Sequence, residues 1–195
     1  MKPKQKQQKK KHETPSQSLP KRIGTALQKR MPQLRFLAIV VLLMGCYYAL
    51  TGTETFSKQF LPAYLSVVAS VTSATLSVLG FATATSGTTV SSQAFAMNIA
   101  YGCDALEPTF LFAVVVLAFP APWKKKLLGV LGGVALLYAI NIIRLITLFL
   151  TGIYKREYFE LMHIEVWQAL FIILALALFV LWVSITERQP QHEAL

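Results

Sequence analysis

"PAPWKKK", residues 120–126, decides how the chain is threaded. It is a short basic loop between two apolar runs, 106–119 and 127–151. Short loops rich in Lys and Arg stay on the cytoplasmic side of a membrane, and that bias sets orientation. The other basic segment is the N-terminus, where residues 1–35 carry eleven of the nineteen Lys and Arg. If both segments are cytoplasmic, an even number of crossings separates them. The run 34–51 supplies one crossing, since about 20 apolar residues span a bilayer. The run 106–119, extended to Trp123, supplies the second. The stretch "LPAYLSVVASVTSATLSVLGF" (61–81) would make the count odd if it crossed. It is therefore expected to be re-entrant or interfacial, with Ser66, Ser70, Ser73 and Ser77 on one helical face. Residues 52–105 then face outward, with one Lys and no Arg. The runs 127–151 and 166–185 cross twice more and return the C-terminus to the cytoplasm.

Composition agrees with this threading. Hydrophobic residues make up 54% of the 195 and mean hydropathy is +0.51. Charged residues are 14%, against about 25% in soluble proteins. The expected fold is all-α: a polytopic membrane helical bundle with about four spanning helices, one re-entrant or interfacial helix and a short outer-face β-hairpin. Phe95, Met97, Ile99 and Tyr101 alternate with smaller or polar residues, which predicts a strand, hairpinned at Ser86–Gly87 and leading into Cys103. Residues 1–33 read as a basic disordered cytoplasmic tail, 34–187 as the membrane-embedded domain and 188–195 as a short cytoplasmic tail. The apolar run after the basic tail lacks a cleavage site, so it reads as a retained anchor. Anionic lipid accounts for the basic tail. Without interleaved aromatics, nucleic acid is not an expected partner. Two cysteines, Cys46 and Cys103, make no disulfide framework. No glycine-rich phosphate loop and no metal-ligand spacing occur, so neither cofactor nor metal is expected.

Three side chains stand out against this apolar background. "MNIAYGCDALEP" (97–108) places Cys103 beside Asp104 and Glu107 at a water–lipid boundary. Asp104 and Glu107 have the spacing of an N-cap and N3 pair for the helix that follows. A helix N-terminus favours a thiolate, whereas neighbouring carboxylates oppose it, so a reactive Cys103 needs a compensating cation. "LLYAINIIRLITLFL" buries Arg144 in an apolar helix, at about 2.5–3.5 kcal/mol near a helix centre. Asn141, three residues earlier, shares its face. "ELMHIEVWQALF" puts His163 at the outer start of the last helix, while His12 and His192 fall in the cytoplasmic tails. Each has an ordinary reading: a free interfacial thiol, an arginine paired with Glu107, a solvated imidazole. The threading sends all three to one side, where they suit acyl transfer. Cys103 would be nucleophile, His163 general base and acid, and Arg144 the stabiliser of thiolate or oxyanion.

Cys103 at the head of one membrane helix, "NIIR" (141–144) late in the next and His163 at the start of the following one resemble the exosortase/archaeosortase family. The resemblance covers residues 60–185. It implies a membrane cysteine transpeptidase with Cys103, Arg144 and His163 as its catalytic set. It also implies PEP-CTERM-like substrates: tail-anchored exported proteins cut at a C-terminal sorting signal, at the outer face of the bacterial inner membrane. The short chain implies a compact branch, such as the exosortase H group. The family commonly reads Cys-Ser-Gly or Cys-Asn-Gly at the nucleophile, and this chain reads "CDAL" (103–106). The alternative from the residues alone is a non-catalytic membrane protein, a transporter subunit or assembly factor, with a structural Arg144–Glu107 pair.

Overall fold

The computed structural model describes residues 19–188. The tails read at 1–18 and 189–195 lie outside the described residues. The chain divides into two compact units, Met1–Leu37 and Ala38–Leu195. The described part of the first is the opening of helix α1 (Leu19–Thr51), so residues 19–33, read as tail, are helical. The second unit holds the end of α1 and the remaining elements. These are α2 (Leu61–Val78), β1 (Ala84–Ser86), β2 (Thr89–Ser91), β3 (Ala96–Asn98), α3 (Leu106–Ala118), α4 (Trp123–Tyr154) and α5 (Trp167–Arg188).

The protein is an all-α polytopic bundle with a small three-stranded antiparallel sheet. Among the described residues, four helical stretches are long and apolar enough to cross a membrane: Arg30–Thr51, Phe56–Val78, Trp123–Tyr154 and Leu161–Arg188. Their membership departs from expectation twice. First, α3 does not extend to Trp123. Pro120 disfavours a helical conformation in the residue before it, and Phe119 is extended at φ −66°, ψ 140°. The helix keeps 13 residues, about 20 Å at 1.5 Å each, against a hydrocarbon core of about 30 Å. Second, 56–78 meets the length and hydropathy of a span, where a re-entrant or interfacial helix was expected. Its serines cost little because they bond inside the helix. Ser66, Ser70 and Ser77 donate to the carbonyls of Ala63, Ser66 and Ser73 at 2.7, 2.8 and 2.9 Å.

The packing shows where α2 lies. Near its start, the Tyr64 hydroxyl reaches the Tyr138 hydroxyl, 3.2 Å away and midway along α4. Near its end, Ser73 reaches Thr83 at the foot of the sheet, 2.8 Å away. The sheet in turn sets Phe95 over Gly152, close to the end of α4. Helix α2 therefore runs beside the second half of α4, in the same direction. One core fills this space, with Leu65, Val68 and Leu76 of α2, Val90, Met97 and Ile99 of the sheet region, and Leu145, Leu148 and Phe149 of α4.

Helices α3 and α5 cover the first half of α4. Phe112 of α3 occupies the space above Gly133, and Trp182 of α5 that above Gly129, so neither glycine has room for a Cβ. The "PAPWKKK" loop ties the three helix ends together. Lys126 donates to the Leu117 carbonyl of α3 (2.6 Å) and Lys125 to the Thr186 carbonyl of α5 (3.2 Å). Trp182 donates back to the Lys125 carbonyl (3.2 Å). Lysines near helix C-termini satisfy carbonyls that the helix itself leaves open.

The hairpin turns at Gly87, whose φ of +57° is the left-handed conformation a two-residue turn requires. Ser86 pairs with Thr89 across it, and β3 then pairs with β2 through Val90 and Met97. The period of two holds for Met97 and Ile99, both buried, while Tyr101 is exposed beyond the strand.

Candidate active site

Cys103 is held in a sharp turn between β3 and α3. Gly102 has φ +91° and Ala105 φ +59°, and the Cys103 amide donates to the Ala100 carbonyl at 3.0 Å. Because Ala105 is left-handed, it is the residue that caps α3. The expected Asp104–Glu107 capping pair is therefore not formed. Asp104 instead turns inward, almost fully buried, and its Oδ1 accepts the Leu106 amide at 3.2 Å. Its own carbonyl accepts the Tyr64 hydroxyl at 2.8 Å. Glu107 faces α1 and accepts the Tyr48 hydroxyl. The Arg144–Glu107 pair is also not formed, since Tyr48 holds that carboxylate. Among the described residues, the ion pair within 4.0 Å joins Lys58 to Glu54.

His163 reaches the thiol from the other side of the bundle. It lies in a π-helical turn, Leu161–Val166, just before α5. Such wide turns recur at functional sites because they re-aim side chains. The Cys103 Sγ and His163 Nε2 atoms are 2.7 Å apart. Arg144 is buried on α4, with Asn141 beneath it on the same face. Its charge bears on both Cys103 and Asp104. Among the described residues, four buried polar atoms from this region have no protein partner: Asp104 Oδ2, Thr109 Oγ1, Asn141 Oδ1 and Arg144 Nε. The structure thus draws Cys103 and His163 into contact, with Arg144 and Asp104 in electrostatic range, and leaves Glu107 aside.

Burial pushes the Cys103 thiol above its ordinary pKa, and Asp104 adds to the rise. Arg144 and a hydrogen bond to the sulfur from the Ala100 backbone work the other way. The Asp104 carboxyl is itself raised by burial, with the Leu106 amide opposing. Cys103 and His163 line a cavity of about 470 Å³ whose walls also include β3, Leu148, Phe159 and Arg156. Among the described residues, no three His, Cys, Asp or Glu side chains gather as a metal site needs.

The family model described as transmembrane exosortase matches residues 24–183. The chain belongs to the transmembrane exosortase family. No curated protein and no solved structure matches it. The matched region of this exosortase contains Cys103, Asn141, Arg144 and His163. Tyr64, Tyr48 and Arg156 were not singled out from the sequence. A tyrosine at the end of an apolar helix is ordinary at a membrane boundary. Only the fold shows that Tyr64 holds the carbonyl next to the exosortase thiol. Phe56, Phe60 and Tyr64 do recur at intervals of four, from the π-helical turn Phe56–Phe60 into the start of α2, and that spacing marks an aromatic face there.

Proposed function

We propose that this exosortase is a membrane cysteine peptidase or transpeptidase. It cleaves PEP-CTERM-like C-terminal sorting signals of exported, tail-anchored proteins at the outer face of the bacterial inner membrane, with both termini cytoplasmic. The observation that carries the reading is the 2.7 Å contact between Cys103 Sγ and His163 Nε2, made across sixty residues of sequence. An interfacial thiol suits such a substrate, because an anchored tail presents its cleavage point where its helix leaves the bilayer.

In this reading the raised thiol pKa matters. Cys103 rests as a thiol, and His163 takes its proton as the sulfur attacks the scissile carbonyl. The attack needs an approach of about 3–3.5 Å. Arg144 faces the oxyanion that forms, and its charge acts strongly in a site shielded from water. The C–N bond then breaks. The amine leaves with the proton held by His163, and the acyl group stays on Cys103 as a thioester. A second nucleophile gives its proton to His163, attacks the thioester and frees the thiol. Asn141 and Asp104 support the site, Asn141 beside Arg144 and Asp104 under the thiol. The non-catalytic alternative rested on an Arg144–Glu107 pair, and that carboxylate is engaged elsewhere.

Co-expression with candidate tail-anchored substrates tests the reading. Loss of the anchor is scored as a mass shift of the exported protein. Cys103→Ala and Cys103→Ser are expected to reduce processing to background, and His163→Ala by about 10²–10⁴-fold. Cys46→Ser is expected to leave it intact, since Cys46 lies on an exposed face of α1. Processing by Cys103→Ala at the parent rate would refute the peptidase.

A further inference from the structure

The active-site cavity is bordered by residues 95–99 without a gap. Consecutive strand residues point to opposite faces of a sheet. Met97 and Ile99 do point into the core, while Ala96 and Asn98 are exposed on the other face. A cavity that touches every one of them must run along the edge of the strand, not over either face. Among the described residues that edge is unpaired, since the sheet order is β1-β2-β3 and β3 bonds β2 alone.

The register shows which backbone groups the edge offers. Ile99 N donates to Thr88 O at 2.9 Å, and Ser92 N to Phe95 O at 2.8 Å. In an antiparallel pair, hydrogen-bonded and non-hydrogen-bonded residues alternate. Residues 95, 97 and 99 are therefore spent on β2. The N–H and C=O groups of Ala96 and Asn98 turn the other way, towards the cavity. The strand is braced for this role. The Asn98 amide donates to Thr88 and Thr89 hydroxyls at 3.3 and 3.2 Å. The Phe95 ring packs against Phe149 and Phe159.

We propose that β3 is the substrate-backbone recognition strand: the segment flanking the scissile bond adds to its free edge as a fourth strand, hydrogen-bonded to the main chain of Ala96 and Asn98. The inference rests on the peptidase reading of Cys103. The occupant follows from the shape of the site. The same cavity is lined by β3 and by Cys103, so a peptide carbonyl at the sulfur has its flanking residues beside the strand. Strand addition draws its affinity from main-chain hydrogen bonds. It also gives a substrate preference for extended, unbranched backbone over any single side chain. Proline is disfavoured at every second position, because it lacks the N–H the edge must receive.

The probe is a tetra-alanine chloromethyl ketone. The Cys103 sulfur displaces chloride from its terminal methylene, forming a C–S bond, and the thiol proton passes to His163. The reactive end fixes the register. Two further versions carry N-methyl groups on alternate amides, one set odd and one set even. In full-length wild type, one methylated version is expected to label Cys103 at least tenfold more slowly than the parent peptide, and the other at nearly the parent rate. Equal rates for all three, or equal losses for both methylated forms, overturn the proposal. A companion variant tests the protein side. Ala96→Pro removes one edge N–H and no ladder bond, a position where proline is accepted in edge strands. It is expected to slow labelling by the unmethylated peptide severalfold, because a peptide carbonyl loses its donor, while iodoacetamide still alkylates Cys103 at the parent rate. Ala96→Val, which keeps the N–H, is expected to label with the unmethylated peptide at nearly the parent rate. If Ala96→Pro alters iodoacetamide labelling, its fold is disturbed, and the wild-type peptide comparison decides alone. Failure of the peptidase reading would show elsewhere, as anchored proteins processed equally with Cys103→Ala.

Discussion

Cys103 is a thiol whose neighbours pull its proton in opposite directions. Burial and Asp104 raise its pKa, and Arg144 lowers it. The nucleophile is the thiolate, so a raised pKa makes the imidazole 2.7 Å away the means of generating it during attack. Asp104→Asn removes one raising influence. In a Cys46→Ser background, iodoacetamide alkylation of Cys103 should rise with a midpoint above that of an ordinary cysteine. With Asp104→Asn the midpoint should move to lower pH. An unmoved midpoint would show that the Asp104 charge does not reach the sulfur. Arg144 invites a sharper test. Lysine keeps the charge but loses the planar fork and most of its donors. Losing one oxyanion donor costs about 10²–10³ in rate. Arg144→Lys should therefore slow initial processing by a factor in that range. Unchanged processing would reduce Arg144 to a diffuse charge.

Elements position these residues through a few close approaches. Helix α4 carries Arg144 and Asn141, and its first half is seated by glycine contacts. A Cβ on Gly133 would overlap the Phe112 ring of α3, whereas one on Gly132, the next residue back, meets nothing within 4 Å. The pair makes an internal control. Gly133→Ala overpacks the α3–α4 contact and should destabilise by about 1–3 kcal/mol. Gly132→Ala gains only the helical preference of alanine, about 0.5–1 kcal/mol in the opposite direction. Thermal unfolding in detergent should separate the two, with Gly132→Ala melting higher than the parent and Gly133→Ala lower. A matching rise in both would show that α3 does not seat on Gly133. Since α3 begins just after the Cys103 turn, loosening it should also slow Cys103 alkylation or broaden its pH profile.

For the whole molecule, the open quantity is which side of the membrane each end of α2 occupies. Length and hydropathy qualify it as a span. Its packing sets it beside the second half of α4, leading from Tyr138 towards the sheet. If α4 runs from cytoplasm to exterior, α2 then lies at and beyond the outer boundary. On that condition Lys124, Lys125 and Lys126 face inward: α1 crosses outward, and the 13-residue α3, too short to span alone, returns together with the non-helical residues 119–122 that follow it. Impermeant thiol labelling of intact cells tests this, using single cysteines at Thr53, Ser86 and Lys125 in a Cys46→Ser, Cys103→Ser background. The expected pattern is labelling at 53 and 86 and protection at 125. Labelling at 53 but not 86 would mean that α2 crosses and the site faces inward.

Much of this was readable without coordinates. The apolar runs, the lysine loop, the period of two at 95–99 and the misplaced arginine each report a local cost: lipid solvation, charge transfer, pleat, burial. Such costs depend on residue type and near neighbours, so the sequence alone determined a polytopic helical bundle and drew Cys103, Arg144 and His163 out of the background. Distances between elements depend on packing instead. No local signal shows that His163 closes on Cys103, because that contact is made by a π-helical turn and the seating of α5 on α4. Asp104 turned inward and left Glu107 to Tyr48 because Ala105 took the left-handed cap, a choice set by the tight turn around Gly102. The stop of α3 was written in Pro120, yet its consequence appeared only when a short helix had to share a bundle with longer ones. Above all, which edge of β3 remains open is a property of the sheet. Strand patterning marks faces through side chains, while an edge is defined by main-chain groups that every residue carries alike, so only the tertiary structure could decide it.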